Sequence, residues 1–427
     1  MLSLPAAKMQ LARYLEFNRG QKRLLISFGV VYLLVVFFCF SNSARDPGSI
    51  FFRPSHGYRP EYSAKRVDEA LKYVSAFNQS STHSNQSLTT EGVEMCIGIV
   101  TVKRPLVQNL DVTVGSLLDG LSPEQRSAVS LQVLFAPTNA WTHPDYGQPW
   151  VPNIIDRVLT YEDFDAPITD LMRLERKHRI AEKSLVDYRL ALNSCYNQTD
   201  APWILMVEDD VVAQKKWYDH TMQSLETIKD GQRRGAIYNW FYLRLFYTEK
   251  FLGWNDQYWP TYLFWSLVVV TIPGTLLIYA RRNARSIRGT LTNPFLFVVC
   301  FGCIPMFIIL FFLAGRVTLQ PMKPGVHLMN RNGCCSQALL FPRKNVPPLM
   351  EYLRYRQDKI PKPVDSVIEA FANDKDFDRF VISPSQMQHV GASSYKKKQK
   401  TVEAQGPYLI YGAHGVWSMG FEKAYQD

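Results

Sequence analysis

Three long uncharged apolar segments interrupt an otherwise mixed pattern of hydrophobic and polar positions. Leu24–Phe40 is uncharged and stays so to Ala44, close to the ~20 residues that span a bilayer. Tyr258–Ala280 is uncharged over 23 residues and opens on Trp259, Tyr262 and Trp265, aromatic residues of the kind enriched at membrane surfaces. Leu291–Gly315 is uncharged over 25 residues. A signal peptide is the alternative for the first segment, but no small-residue cleavage site follows Phe40. Buried core helices are the alternative for the other two; their length and lack of charge favour membrane spans.

Elsewhere the apolar runs are short and follow strand or helix periods. Val67–Phe77 predicts a helix, and Asn78–Thr90 is a polar Ser/Thr-rich stem. Met95–Val102 predicts a first strand, Leu110–Leu121 a helix, and Val129–Ala136 a second strand. Pro144–Pro167 reads as loop. A long helix is expected over Leu171–Cys195, where Leu171, Leu174, Ala181, Leu185, Tyr188, Leu192 and Cys195 share one face. Trp203–Val207 predicts a buried strand and Ala236–Tyr247 another. Beyond the third apolar segment, Ala338–Phe341 and Phe380–Ser383 predict strands, and Val346–Arg354 and Asp365–Ala372 helices. Strand–helix alternation argues for a parallel α/β sheet. The later stretch has too few strands to stand alone, so the expectation is one α/β domain split by a transmembrane hairpin, 258–315. The tail 396–427 carries no interpretable pattern, and no internal repeat is visible.

Charge supports the membrane reading. The net charge of +10 over 427 residues is concentrated in three patches. These are residues 1–23, Arg281/Arg282/Arg285/Arg288, and Lys396/Lys397/Lys398/Lys400. Two of them flank apolar segments, a membrane pattern that argues against a nucleic-acid partner. By the excess of Lys and Arg on the cytosolic side, the N-terminus and the loop 281–290 are cytosolic. Residues 41–257 and 316–427 then share the opposite, luminal side. The sequons at Asn78, Asn85 and Asn197 fall on that side. So do four of the seven cysteines, Cys96, Cys195, Cys334 and Cys335; Cys39, Cys300 and Cys303 lie in the spans. Three pairings of the luminal four are possible; Cys96–Cys195 with a vicinal Cys334–Cys335 is preferred. No partner His stands at a spacing that would make these cysteines a metal site.

The chemistry concentrates where Trp203–Val207 runs into Glu208-Asp209-Asp210. Three adjacent carboxylates at the carboxyl end of a buried strand lie where open α/β sheets bind ligands. They repel one another unless a cation sits there, and oxygen donors suit Mg²⁺ or Mn²⁺. An acidic loop or helix start is the alternative. The motif resembles that of the GT-A class of nucleotide-sugar glycosyltransferases.

A more specific resemblance spans most of residues 95–395. It is carried by Ile99-Val100-Thr101-Val102-Lys103-Arg104, Val186-Asp187-Tyr188, Ile204 to Asp210, Phe241-Tyr242-Leu243-Arg244-Leu245-Phe246, Gly333-Cys334-Cys335-Ser336-Gln337-Ala338-Leu339-Leu340-Phe341-Pro342, and Gln388-His389-Val390-Gly391. In these pieces the chain resembles the Golgi transferases that add N-acetylgalactosamine to the glycan of GPI anchors. Lys103 and Gln337 depart from that family's usual residues, which bears on the donor sugar. The resemblance implies a GT-A-like, Rossmann-type domain in two halves, 93–257 and 316–395, with spans at 24–44, 258–280 and 291–315, a cytosolic tail 1–23 and a luminal stem 45–92. It implies a multi-pass Golgi membrane protein with a luminal catalytic domain, UDP-GalNAc as donor, a GPI glycan as acceptor, and inversion at the anomeric carbon.

The resemblance also implies roles. Thr101 and Val102 line the uridine pocket, though Val102 reads equally as core, and Arg104 joins the nucleotide-binding set. Glu208, Asp209 and Asp210 hold Mn²⁺ or Mg²⁺ and the donor diphosphate. His389 adds a metal ligand, with a surface histidine as its alternative. Gly391 lets backbone approach the diphosphate. Ser336, Gln337 and Ala338 contact the sugar. Asp365 is the first candidate for the catalytic base, with an N-cap as its alternative role, and Glu369 is the second candidate. Two other readings compete: transfer of another sugar or to another acceptor such as an N-glycan, and a non-catalytic membrane scaffold of the same fold. A transporter is disfavoured because the spans carry no charge.

Overall fold

The computed structural model describes residues 16–78, 92–330, 335–359, 361–391 and 416–423. Most of the stem region 78–90, Cys334 and nearly all of the tail from Lys396 lie outside the described residues, as does most of the N-terminal basic patch. The chain divides into two compact units, one of Met1–Arg59 with Glu249–Pro321 and one of Pro60–Thr248 with Met322–Asp427.

The larger unit is built on an eight-stranded mixed sheet, mostly parallel. Its strands are β1 Met95–Thr101, β2 Val129–Phe135, β3 Arg157–Leu159, β4 Trp203–Glu208, β6 Trp240–Arg244, β7 Gly325–Leu328, β8 Ala338–Pro342 and β9 Asp378–Ser383. Their order is β3-β2-β1-β4-β8-β6-β9-β7; β5 Val211–Ala213 and β10 Met387–His389 form a separate pair. Neighbours β3, β2, β1 and β4 run parallel, as do β6 and β9. The fully parallel sheet expected from strand–helix alternation is therefore corrected. β8 runs antiparallel to both β4 and β6, and β7 antiparallel to β9. Insertion of β8 beside β4 brings Gln337 next to Glu208, whose N–H donates to the Gln337 carbonyl at 2.9 Å.

Burial on both sheet faces explains the near-continuous apolar runs. On one face Ile97, Ile99, Leu131, Val133, Leu205 and Val207 join one apolar cluster with Val114, Leu117, Trp217 and Leu225. On the other, Ile204, Met206 and Phe341 cluster with Leu185, Leu192, Leu353 and Ile368. Alternate residues of one strand serve opposite faces, as the two-residue period requires. The helices Tyr62–Asn78 and Leu110–Leu118 approach closely at Gly115, where a Cβ would lie 2.5 Å from the Ala70 carbonyl oxygen.

Several boundaries differ from the sequence expectation. The long helix Leu171–Cys195 is two helices, Ile168–Arg176 and Ile180–Gln198, separated by Lys177–Arg179 with His178 in the left-handed region at φ +52°. Periodicity hid the break because Leu171, Val186 and Leu190 still bury into one cluster. The expected loop Pro144–Pro167 contains the helix Trp150–Ile154 and edge strand β3. The helix from Leu110 stops at Leu118, before Gly120 at φ +93°. The strand expected over Ala236–Tyr247 is confined to β6. A helix with no sequence expectation, Trp217–Arg233, buries Trp217, Thr221, Ser224, Leu225 and Ile228, a helical spacing present in the chain all along.

In the smaller unit, three helices among the described residues are long and apolar enough to cross a membrane: Arg19–Arg45, Glu249–Asn283 and Asn293–Ala314. The third contains a π-turn at Val299–Cys303 immediately before Pro305. The wider turn absorbs the hydrogen bond that proline cannot donate. Phe28 of the first helix meets Phe307 of the third edge-on at 5.5 Å, and Gln21 donates to the Thr290 carbonyl at 2.7 Å. Cys39, Cys300 and Cys303 are free thiols in these helices.

Cys96 on β1 and Cys195 on the Ile180–Gln198 helix are disulfide-bonded across a separation of 99 residues, the pairing preferred from the sequence. Cys335 is also disulfide-bonded, with its backbone at φ +84°. Removing a cross-link over so long a loop enlarges the unfolded ensemble, at about 2–5 kcal/mol. The paired Cys96→Ala/Cys195→Ala variant is therefore expected to lose about that much in urea unfolding of the intact protein, and an unchanged midpoint would contradict it.

Candidate functional site

The site forms at the carboxyl ends of parallel β1 and β4, where Val100 is in register with Glu208. The chain leaves β4 through Asp209 and Asp210 and enters β5 directly, and each of the three carboxylates has its own set of partners, with Arg104 shared by Asp209 and Asp210. Glu208 accepts from the Ser336 hydroxyl at 2.7 Å. Asp209 accepts from the Thr101 hydroxyl at 2.8 Å and the Val102 N–H at 3.2 Å, and pairs with the Arg104 guanidinium. Asp210 pairs with Arg104 at 3.0 Å and with His389 Nε2 at 3.2 Å. Asp209 and Asp210 are both buried, and such charges need partners of this kind.

His389 arrives on β10, which pairs antiparallel with β5 so that His389 lies opposite Val211. The Val390 N–H donates back to the Asp210 carbonyl at 2.8 Å. Gly391 follows, and a Cβ there would stand 2.3 Å from Asp210 Oδ2; glycine is required by the space Asp210 occupies. Burial opposes ionisation of Asp210, but His389 and Arg104 outweigh it and hold the carboxyl well below its usual range. Burial likewise opposes the charged imidazolium of His389, and Asp210 overcomes it, raising the pKa.

These groups open onto a cavity of about 370 Å³. Of the residues predicted from sequence, Val102, Arg104, Glu208, Asp209 and Asp210 line one side of it, and Ser336, Gln337, Asp365, His389 and Gly391 also line it. Three do not. Thr101 is buried behind the wall and acts through Asp209. Ala338 lies in the sheet core on β8. Glu369 is held in a buried network, accepting from Tyr242 at 2.5 Å and pairing with Arg244 at 2.9 Å and Arg379 at 3.5 Å. Arg244 also donates to the Cys335 carbonyl at 2.8 Å. Glu369 thus anchors the arginine that holds the Cys335–Gln337 segment. Asp365 is the second residue of the Val364–Asp374 helix; the N-cap is Pro363, and Asp365 Oδ1 accepts from the Ser366 N–H at 2.7 Å. The N-cap role weighed for Asp365 is therefore corrected, because Pro363 starts the helix earlier.

Sequence reasoning assigned no role to Tyr188, His143, Asp145 or Arg244. Tyr188 lines the cavity, is buried, and its hydroxyl has no hydrogen-bond partner among the described residues. Burial, then Glu208, pushes that hydroxyl well above its usual range, so it stays a donor. The Gln337 Oε1, Asp210 Oδ1 and His389 Nδ1 are likewise buried without partners among the described residues. His143 Nε2 meets the Thr101 hydroxyl at 2.9 Å, which in turn donates to Asp209. Tyr188 and Arg244 lie inside motifs that carry the family resemblance, so a signal existed; Asp145 lies in the stretch expected as loop, Pro144–Pro167, and His143 immediately precedes it.

Among the described residues no three His, Cys, Asp or Glu side chains form a ready-made metal site. Mg²⁺ and Mn²⁺, however, take one or two protein ligands and complete their shell with water and phosphate oxygens. Asp210 and His389, adjacent and each with an unsatisfied buried atom, fit such a partial donor set.

Residues 95–388 match the family described as GPI-N-acetylgalactosamine transferase PGAP4, and the chain belongs to that family. The family is one of glycosyltransferases of GPI biosynthesis, with a nucleotide sugar as donor and a GPI glycan as acceptor. No curated protein matches the chain.

Asp145 gives a pH test of the site wall. Burial, then Asp111 and Asp209, raises its carboxyl to about 7, and the nearest cationic candidate, His143 Nδ1, is 3.9 Å away. The folded state therefore binds this proton more tightly than the unfolded chain. The stabilisation is complete below pH ~4 and is lost as pH rises through about 7. Asp145→Asn should flatten the dependence of Tm on pH across that window and be more stable than wild type above it. Parallel Tm–pH profiles for the two proteins would refute this assignment.

Proposed function

We propose that this protein is a metal-dependent, inverting GT-A-type transferase that moves N-acetylgalactosamine from UDP-GalNAc to the glycan of GPI anchors in the Golgi lumen. In a chain of this family, the observation that carries the reading is the buried Arg104–Asp209–Asp210–His389 cluster at the carboxyl end of β4. In this reading residues 93–257 and 316–395 are the two halves of the catalytic domain. Helices 258–280 and 291–315 form a transmembrane hairpin around the cytosolic loop 281–290, and 24–44 is a further span. The basic residues on that loop and at the N-terminus support this orientation.

Asp210 and His389 would hold Mn²⁺ or Mg²⁺, which when bound acts as a Lewis acid on the donor diphosphate. Arg104 places a permanent positive charge on the same wall, where it offsets charge on the departing UDP. Asp209, fixed by Thr101, Val102 N–H and Arg104, keeps that guanidinium oriented. Asp365, facing the cavity from a helix start, takes the proton from the attacking acceptor hydroxyl. Glu369 Oε1 is bonded to Tyr242 and Arg244 and the residue does not line the cavity, which leaves Asp365 as the base of this reading. An acetamido group offers one N–H and one carbonyl. The Gln337 Oε1 and the Tyr188 hydroxyl, unpartnered among the described residues, supply the matching acceptor and donor at the cavity wall, which favours a HexNAc donor over a plain hexose.

Purified full-length protein in detergent is expected to turn over UDP-GalNAc in the presence of Mn²⁺ and a GPI acceptor, and to prefer it to UDP-GlcNAc and UDP-Gal. Asp210→Asn should lower kcat/KM by about a hundredfold or more. Folded protein that turns over no donor would instead favour a non-catalytic scaffold. Tyr188→Phe should reduce the preference for UDP-GalNAc over UDP-Gal by about tenfold, the value of one buried hydrogen bond. Equal losses with both donors would remove Tyr188 from sugar recognition.

A further inference from the structure

The match to the family ends at residue 388, yet His389 and Gly391 lie beyond it, and so does a C-terminal segment that folds against them. Residues 416–423 include the short helix Met419–Lys423. Trp417, Ser418, Phe421 and Glu422 of this segment are buried, and Val416 lines the cavity.

Among the described residues the segment is hydrogen-bonded to β10 at Gln388, the neighbour of His389. Gln388 is completely buried. Its amide nitrogen donates to the Ser418 carbonyl at 2.8 Å and to Glu422 Oε1 at 2.9 Å. Its amide oxygen accepts from the Ser418 N–H at 2.9 Å. Glu422 is fixed from its other oxygen, which accepts from the Glu61 N–H at 2.8 Å and the Ser63 N–H at 3.1 Å. Phe421 packs against Tyr62 with ring centroids 5.3 Å apart and planes tilted by 39°, and shares an apolar cluster with Val212 and Val390. The start of the Tyr62–Asn78 helix, the C-terminal segment and β10 are thus tied together at Glu422.

We infer that the C-terminal segment 416–423 is a clamp that positions His389 against Asp210, with Gln388 and Glu422 as positioning residues for the donor side of the site. The physical argument is one of reach. β10 is only three residues long and pairs with the equally short β5, too little ladder to fix a side chain by itself. Gln388 faces away from His389, as successive strand residues must, and every polar atom of its side chain is bonded to the C-terminal segment. Freedom at Gln388 is therefore freedom at His389 Nε2 and at the Val390 N–H that closes on Asp210.

This inference rests on the proposed transferase reading for its kinetic readout, and a second readout does not. In Gln388→Glu a carboxylate opposes that of Glu422; in Glu422→Gln an amide N–H₂ opposes that of Gln388. Both variants keep the side-chain shape. The double exchange Gln388→Glu/Glu422→Gln restores the donor–acceptor pair between 388 and 422 but leaves the Ser418 carbonyl without its donor, so it is expected to recover in part from Gln388→Glu. Without any ligand, backbone amide exchange at Val390 is expected to accelerate about tenfold or more in each single variant and to return towards wild type in the double. In the assay, each single variant should raise the donor KM and the Mn²⁺ concentration for half-maximal activity by about tenfold, with the acceptor KM unchanged and recovery in the double. If wild type turns over no donor, the transferase reading fails and the exchange data alone decide on the clamp. If the singles do not fold and the double does, the Gln388–Glu422 coupling stands. Unaltered exchange at Val390 in folded single variants, or a double no better than Gln388→Glu alone, would overturn the clamp.

Discussion

The structure depends on how three consecutive carboxylates are accommodated at the end of one buried strand. Asp209 and Asp210 have left water, and no fold tolerates that without countercharge and hydrogen bonds. The chain answers by bringing distant segments to one place. Thr101 ends β1 and Arg104 follows it, Ser336 and Gln337 come from the segment that enters the antiparallel strand β8, and His389 from the β5–β10 ladder. Insertion of β8 antiparallel beside β4 is one of two departures from a parallel sheet, and it lays the Cys335–Gln337 segment against Glu208. The irregular topology and the site are one feature.

A second layer keeps these groups in place. Arg244, Tyr242, Glu369 and Arg379 form a buried polar network behind the cavity, and Arg244 holds the Cys335 carbonyl. His143 and Thr101 hold Asp209 from the opposite side. Buried networks of this kind fix one arrangement of side chains when their members are satisfied. Tyr188, Asp210, Gln337 and His389, which line the cavity, each carry a buried polar atom without a partner among the described residues, open to a ligand there.

Much of the fold was legible because burial writes itself into the chain: β1, β2, β4 and β8 are apolar runs, and the membrane-length segments are uncharged. The acidic end of β4 was legible for the same reason, since three carboxylates after five apolar residues have few structural uses. Other features were not. The break at His178 leaves the apolar period intact, so period alone could not reveal it. The direction of β8 carries no local signature. Glu369 looked like a base because a carboxylate near a site looks alike whether it faces solvent or two arginines. The tail at 416–423 was opaque because its meaning lies in contacts with Gln388 and with Glu61 and Ser63, more than 300 residues earlier. In the proposed reading the membrane-length helices add the remaining constraint. They would hold the catalytic domain near a lipid-linked acceptor and raise its effective concentration.

The most direct test of the central claim is an experimental structure of the full-length protein with Mn²⁺ and UDP. The account predicts a metal in contact with Asp210 and His389, the UDP diphosphate against Arg104, and the uridine beside Val102. Diphosphate bound elsewhere, or Asp210 and His389 still paired only with each other and Arg104 in a nucleotide-bound protein, would contradict it.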